Sequence, residues 1–236
     1  MLKMRTLAKQ FLRMEIHNGQ STRFWTDIWH PSGRLIEVAG ESGTQKLGIS
    51  RSALVCETWK QIRVNRPIKP WSKVIWFSLG VPRFAFITWL AVDNRLSTGD
   101  RMRTWGQVQG CLFCGEPNET RDHLFFACPY TYTLWTEVVG TLLGRPPDPD
   151  WVSTLEHLTT HSFSYLGYIL LRLVFQATIY TIWREMNDRR HLKKPRQHHQ
   201  LANIIDKTVR NRLLATRYWE KQRMRELMQE WYRTHT

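Results

Sequence analysis

The stretch Cys111-Leu112-Phe113-Cys114-Gly115-Glu116-Pro117-Asn118-Glu119-Thr120-Arg121-Asp122-His123-Leu124-Phe125-Phe126-Ala127-Cys128 holds three of the chain's four cysteines and one of its nine histidines. Its pattern is C-x2-C-x8-H-x4-C. Two cysteines two residues apart can close a knuckle turn that points both thiolates at one metal. Gly115 supplies the positive φ such a turn often takes. A Cys3His set is a closed structural site with no open position for a substrate, and soft thiolates select zinc over magnesium or calcium. The competing reading is four unrelated residues in a small core. The third cysteine and the histidine near the pair, with the loop-forming Pro117-Asn118 between, favour the metal. The expected ligands are therefore Cys111, Cys114, His123 and Cys128, and the expected cofactor is zinc, contributing about 10 kcal/mol to folding. His157, His161, His191, His198 and His199 have no cysteine or acid at ligand spacing and read as surface or helix-face residues.

Working outward, the neighbours read as helices. Upstream, Trp71–Leu79 reads as a short helix ended by Gly80. Pro82 opens a second with Phe84, Ile87, Trp89, Leu90 and Ala91 inside it. Ser97-Thr98-Gly99-Asp100 starts a third over 101–105, with Asp100 as first-turn dipole support. Thr120 is placed to cap a helix running to about Ala127, and Pro129 starts another that reaches Leu143. Gly144-Arg145-Pro146-Pro147-Asp148-Pro149-Asp150 reads as a linker. Beyond it the pattern predicts a long helix over Tyr165–Arg190 and a last one from His199 to Arg233. Before residue 70 the chain reads as a helical stripe over 2–16, a strand or extended segment over Thr22–Trp29 and a loop over 38–50. A short helix over 53–62 follows. The expected fold is mainly α: a small helical zinc-knuckle domain, a C-terminal pair of long helices, and little or no β-structure. The expected divisions are 1–70, 71–143, a linker at 144–150, and 151–236.

Charge bears on the partner. Thirty-four Lys and Arg stand against twenty Asp and Glu, a net charge of +14. Such an excess favours a polyanion, nucleic acid first, because phosphate contacts release counterions. Residues 184–236 hold fourteen of the cations and six of the acids. Along the last expected helix, Lys207, Arg210, Arg217 and Lys221 fall within about one third of the circumference. Near the knuckle the candidates for phosphate contact are Arg101, Arg103 and Arg121. The tryptophans Trp25, Trp29, Trp71, Trp76, Trp89 and Trp135 lie in apolar surroundings and read as core rather than as base-stacking platforms. No run of spaced carboxylates suited to two-metal chemistry is present, so no catalytic residue is expected. No small-molecule substrate is expected either. The N-terminus lacks an unbroken apolar region and the cysteines suit a reducing compartment, which points to the nucleus or cytoplasm. Residues 166–183 are apolar, but Arg172 and Gln176 interrupt them, so a buried helix is expected and no membrane partner.

The residues resemble a known family. Val81-Pro82-Arg83-Phe84-Ala85-Phe86-Ile87-Thr88-Trp89-Leu90-Ala91, Asn94–Met102, Cys111-x2-Cys114-Gly115, Asp122-His123-Leu124-Phe125-Phe126-x-Cys128-Pro129 and Trp135 are similar to the zinc-binding domain that ends the reverse transcriptase of plant LINE-type, non-LTR retrotransposons. Asn18-Gly19-x2-Thr22-x-Phe24-Trp25-x-Asp27-x-Trp29 and Ile182-Trp183-Arg184-Glu185-x-Asn187-x-Arg189 resemble the flanks of that domain. The resemblance implies a zinc module that holds RNA or DNA with weak sequence preference. No Tyr-x-Asp-Asp motif of the polymerase occurs in the chain. That departure implies a fragment without the enzyme: a domesticated copy, a truncated reading frame or a decayed element. The alternative function is a zinc-stapled structural or protein-interaction module.

Overall fold

The computed structural model describes residues 14–64 and 67–234. The helical stripe expected over 2–16 lies, up to residue 13, outside the described residues. The chain divides into two compact units, 1–67 and 68–236. The described residues are mainly helical and form no strand, as the sequence pattern predicts; two isolated bridges pair Arg23 with Leu54 and His30 with Gly33.

The first unit holds α1 (Leu35–Ala39), α2 (Gly43–Leu47) and α3 (Val55–Ile62). Its buried apolar side chains are Trp25, Ile49 and Ala53, with Phe24, Leu35 and Ile36 packed on them. Trp25 donates its indole N–H to the Ile49 carbonyl at 3.2 Å, which resolves the one polar atom of a ring only 1% exposed. The extended segment expected over Thr22–Trp29 forms a single bridge and then turns. The Asp27 carboxylate accepts from the Arg23 N–H at 2.7 Å, and the Trp29 indole N–H reaches back to the Phe24 carbonyl at 2.9 Å. Those local bonds compete with strand pairing.

The second unit runs in the order α4 (Ser72–Ile75), α5 (Pro82–Val92), α6 (Gly99–Arg103), a π-helical turn (His123–Ala127), α7 (Pro129–Val139), α8 (Trp151–Thr160), α9 (Tyr165–Arg190), α10 (His198–Ala215) and α11 (Leu227–Arg233). Helix α9 is the spine: α5, α7, α10 and α11 all pack on it. It is long and apolar enough to cross a membrane, and its apolar window is 72% buried inside the protein. The two residues that interrupt its apolar run serve α4. Gln176 donates to the carbonyls of Val74 and Ile75 at 3.0 and 2.7 Å, and Arg172 donates to that of Lys73 at 3.2 Å. A short helix leaves its last carbonyls unpaired, and these side chains satisfy them, Gln176 inside the core and Arg172 at its edge.

Four expectations need correction. First, 144–150 is a turn between packed helices: Trp151, just past it, stacks on Phe126 of the knuckle segment and packs against Phe125 and Phe175. One continuous core therefore crosses the expected linker. Second, the last helix stops at Ala215. Thr216 donates its hydroxyl back to the Leu213 carbonyl, and Arg217 takes a left-handed backbone with φ +47°. The chain then doubles back so that Leu227 and Trp231 enter the core, and the Trp231 indole N–H meets Asp206 at 3.0 Å. Burying Trp231 outweighs two more turns of exposed helix. Third, α4 ends at Ile75 and leaves Trp76 54% exposed, outside the core expected for it. Fourth, the loop expected over 38–50 contains α2.

Candidate metal centre

Three local devices bring the knuckle side chains together. The Cys111 N–H donates to the Glu116 carbonyl at 2.7 Å and the Gly115 N–H to the Cys111 carbonyl at 2.9 Å, closing the turn around Cys114. Gly115 sits at φ +86°, where a β-carbon would be strained. Thr120 accepts the His123 N–H at 3.1 Å and starts the next turn, as its position predicts. That turn then widens to the π register, and the Cys128 N–H reaches the His123 carbonyl five residues back at 2.8 Å. On a regular α-helix, positions five apart diverge by about 140°. The wider π turn reduces this, so the H-x4-C spacing becomes a chelating one.

The four ligand atoms of Cys111, Cys114, His123 and Cys128 lie within 4.8 Å of one another. The Cys111 and Cys128 sulfurs are 3.8 Å apart, which equals the edge of a tetrahedron with zinc–sulfur bonds of about 2.3 Å. Cys114 Sγ and His123 Nε2 are 3.2 Å apart, a few tenths of an ångström inside such an edge. Cys111 faces Cys128 as the hydrogen-bond donor of that sulfur pair. Cys111 is the thiol, pushed up first by the hydrogen bond it donates to Cys128 and then by burial. The Cys128 thiol is lowered to about 5 by that hydrogen bond against the cost of burial, with help from the N–H groups of Thr131 and Tyr130. Those two N–H groups belong to the first turn of α7, whose N-terminal cap is Cys128. A bound dication would replace the Cys111–Cys128 hydrogen bond and add folding energy.

Around the ligands lies a shell that the pattern alone does not reveal. Glu119 is fully buried and accepts the Gly99 N–H at 3.2 Å; burial pushes its carboxyl up. A β-carbon on Gly99 would stand 2.4 Å from the Gln109 carbonyl, so only glycine fits there. Arg189 of α9 donates to the Leu112 carbonyl at 3.0 Å and lies over the rings of Phe113 and Tyr130. It also pairs with the buried Glu185 at 3.0 Å and donates to the Arg196 carbonyl at 2.8 Å, which accepts the Tyr130 hydroxyl as well. Arg196 in turn donates to Glu185 at 2.8 Å. The knuckle, the end of α9 and the segment after it are thus one hydrogen-bonded assembly. Glu185 and Arg189 fall within the residues quoted for the flank resemblance, but only their burial reveals this use.

Residues 54–135 match the family model described as zinc-binding in reverse transcriptase. No curated protein and no solved structure matches the chain. That segment is thus similar to the zinc-binding region of reverse transcriptases, and the four residues that could hold a metal lie wholly inside it.

The expected phosphate contacts are scattered. Arg101 donates to the Asn94 carbonyl at 2.7 Å, Arg103 to Asn118 and the Pro117 carbonyl at 3.0 Å, and Arg121 to Asp122 at 2.8 Å. Arg121 also lies 4.7 Å over the Trp151 ring. Arg210 pairs with Asp206 and Arg217 with Glu220. Lys207 and Lys221 are exposed, but Arg217 and Lys221 lie beyond the end of α10, so the single four-cation stripe does not form. Cations gather instead at the junction of α9 and α10. Two adjoining hollows that share Arg196 and Ile204 are lined by Arg83, Arg184, Lys193 and Lys194, the larger being about 620 Å³. Of these, Arg184 and Lys194 are exposed without a hydrogen-bonded partner among the described residues.

Proposed function

We propose that this chain is a non-catalytic, zinc-stapled module that holds RNA or DNA through its phosphates, with weak sequence preference, in a protein derived from a plant non-LTR retrotransposon. The supporting observation is the cation cluster at the α9–α10 junction, tied to the knuckle through Arg189, Arg196 and Tyr130. In this reading the metal is zinc, and by closing the knuckle it fixes the segment that carries Lys193, Lys194 and Arg196. The module works in the nucleus or cytoplasm, where nucleic acid and reduced thiols coexist.

The test is the salt dependence of binding. Each phosphate neutralised contributes about −0.9 to the log–log slope on duplex DNA. Replacing Arg83, Arg184 and Lys194 together by Gln should flatten that slope by about 2 to 3. Replacing Lys207 and Lys221 by Gln should change it by less than about 1. The same preparation, given primer, template, nucleotides and magnesium, should extend nothing. An unchanged slope in the triple variant would remove this footprint and favour a protein-interaction module, for which the exposed Leu214, Trp219 and Tyr232 offer an apolar surface.

A further inference from the structure

The first unit contains a groove of about 570 Å³ beside α3, with Trp59 and Ile62 on one side and Phe24, Trp29 and Ile16 among its other lining residues. Trp59 is 59% exposed, an unusual position for so large a ring in a unit that buries so few apolar side chains. The Trp29 ring is fixed by its bond to the Phe24 carbonyl. Lys60 and Arg63 are exposed, and no carboxylate lines the groove. The nearby Glu57 is turned to the Leu54 N–H at 2.9 Å, and Glu15 stands 3.8 Å from His17. One polar atom in the lining is unresolved: Thr58 is 1% exposed, borders the groove, and its hydroxyl has no hydrogen-bond partner. A buried hydroxyl left unpaired is costly, and an occupant with a ring nitrogen or oxygen would relieve it.

We propose that this groove takes an unpaired nucleotide, its base against Trp59 and Trp29, a ring heteroatom at the Thr58 hydroxyl, and its phosphate at Lys60 and Arg63. Aromatic faces beside cations are the elements that hold single strands without reading sequence. An apolar peptide would cover the rings but gain nothing from the two cations. The inference rests on the nucleic-acid reading above and assigns single-strand preference to the first unit.

The experiment compares a 12-nucleotide single strand with a 12-base-pair duplex on the zinc-loaded full chain by fluorescence anisotropy. Trp59→Ala should weaken single-strand binding about ten-fold, the value of one lost stacked base, and leave duplex binding unchanged. Trp59→Phe should restore most of the loss, and Thr58→Val should weaken the single strand alone. A 5-iodouridine strand should cross-link within residues 54–63. Competition by a nucleoside monophosphate would show that the site takes a free nucleotide; competition by the strand alone would show that neighbouring phosphates are needed. Equal binding of both forms by Trp59→Ala and by the parent chain overturns this inference and leaves the proposed function standing. A parent chain that binds neither form overturns both.

Discussion

The two units of this chain solve the same problem by different means. The second buries a continuous core from Val74 to Trp231 around α9. It also has a four-ligand knuckle and a buried Glu185 that accepts from Arg189 and Arg196. The first buries Trp25, Ile49 and Ala53, and is otherwise tied by backbone bonds such as Phe24 N–H to Ala53 at 2.9 Å and Val55 N–H to Thr22 at 2.9 Å. A small unit gains little from burial, so each apolar side chain matters more in it. The second unit can lose a methyl group and survive, whereas under the proposed reading its knuckle depends on a single ion held by four adjacent ligands.

The largest expected effect follows from that difference. Chelation of the metal, or Cys128→Ser, should remove about 10 kcal/mol of metal-coupled folding energy. Leu124, Phe125 and Phe126 are fully buried in the core shared with Trp135, Trp151 and Phe175, so the loss should spread beyond 111–128 into α7 and α9. Hydrogen exchange read peptide by peptide should show protection falling across 111–190 and unchanged across 14–64. Loss confined to 111–128 would mean that the knuckle is a separate folding unit. Elemental analysis of metal-replete protein should find about one zinc per chain.

The next effect runs the other way. Trp25→Ala removes the largest buried side chain of the first unit together with its bond to Ile49. Truncating a buried Trp costs about 3 to 5 kcal/mol, enough to unfold a unit of this size. Exchange protection should vanish over 14–64 and persist over 68–234. Cooperative loss in both units would show that the division at residue 67 is not energetic.

What the sequence disclosed follows from the range of the physics involved. The ligand set was legible because Cys111, Cys114, His123 and Cys128 are neighbours in the chain, and their spacing encodes the turn. Helix α9 was legible because its apolar run is long. The π register was hidden, since H-x4-C does not by itself tell a wide turn from a loop. The cation cluster was hidden for another reason: Arg83 and Arg184 are a hundred residues apart and meet only through the packing of α5 on α9. The end of α10 was missed because Trp231 pairs with Asp206, a tertiary contact that overrides the helical spacing of 216–233.

The smallest effect tests the segment between α7 and α8. Asp148 accepts the Asp150 N–H at 2.8 Å and the Ser153 hydroxyl at 2.7 Å, while Asp150 accepts the Ser153 N–H at 2.6 Å. Those bonds favour the ionised form of Asp148, so its carboxyl is held below the usual carboxylate range, the Asp150 N–H being the larger cause. A lowered folded value means that its contribution is complete above about pH 4 and is lost as pH falls through the folded value. At pH 7 the contribution is therefore fully present, and Asp148→Ala should lower stability by about 1 kcal/mol, the worth of a solvent-screened carboxylate that accepts two hydrogen bonds. In a unit of this size that is about 2 to 4 °C in Tm. Asp148→Asn keeps an acceptor and should lose less than half as much. A flexible linker at 144–150 would make both substitutions silent, whereas a fixed turn transmits the loss to Trp151, whose ring lies in the same aromatic cluster as Phe126 of the knuckle segment.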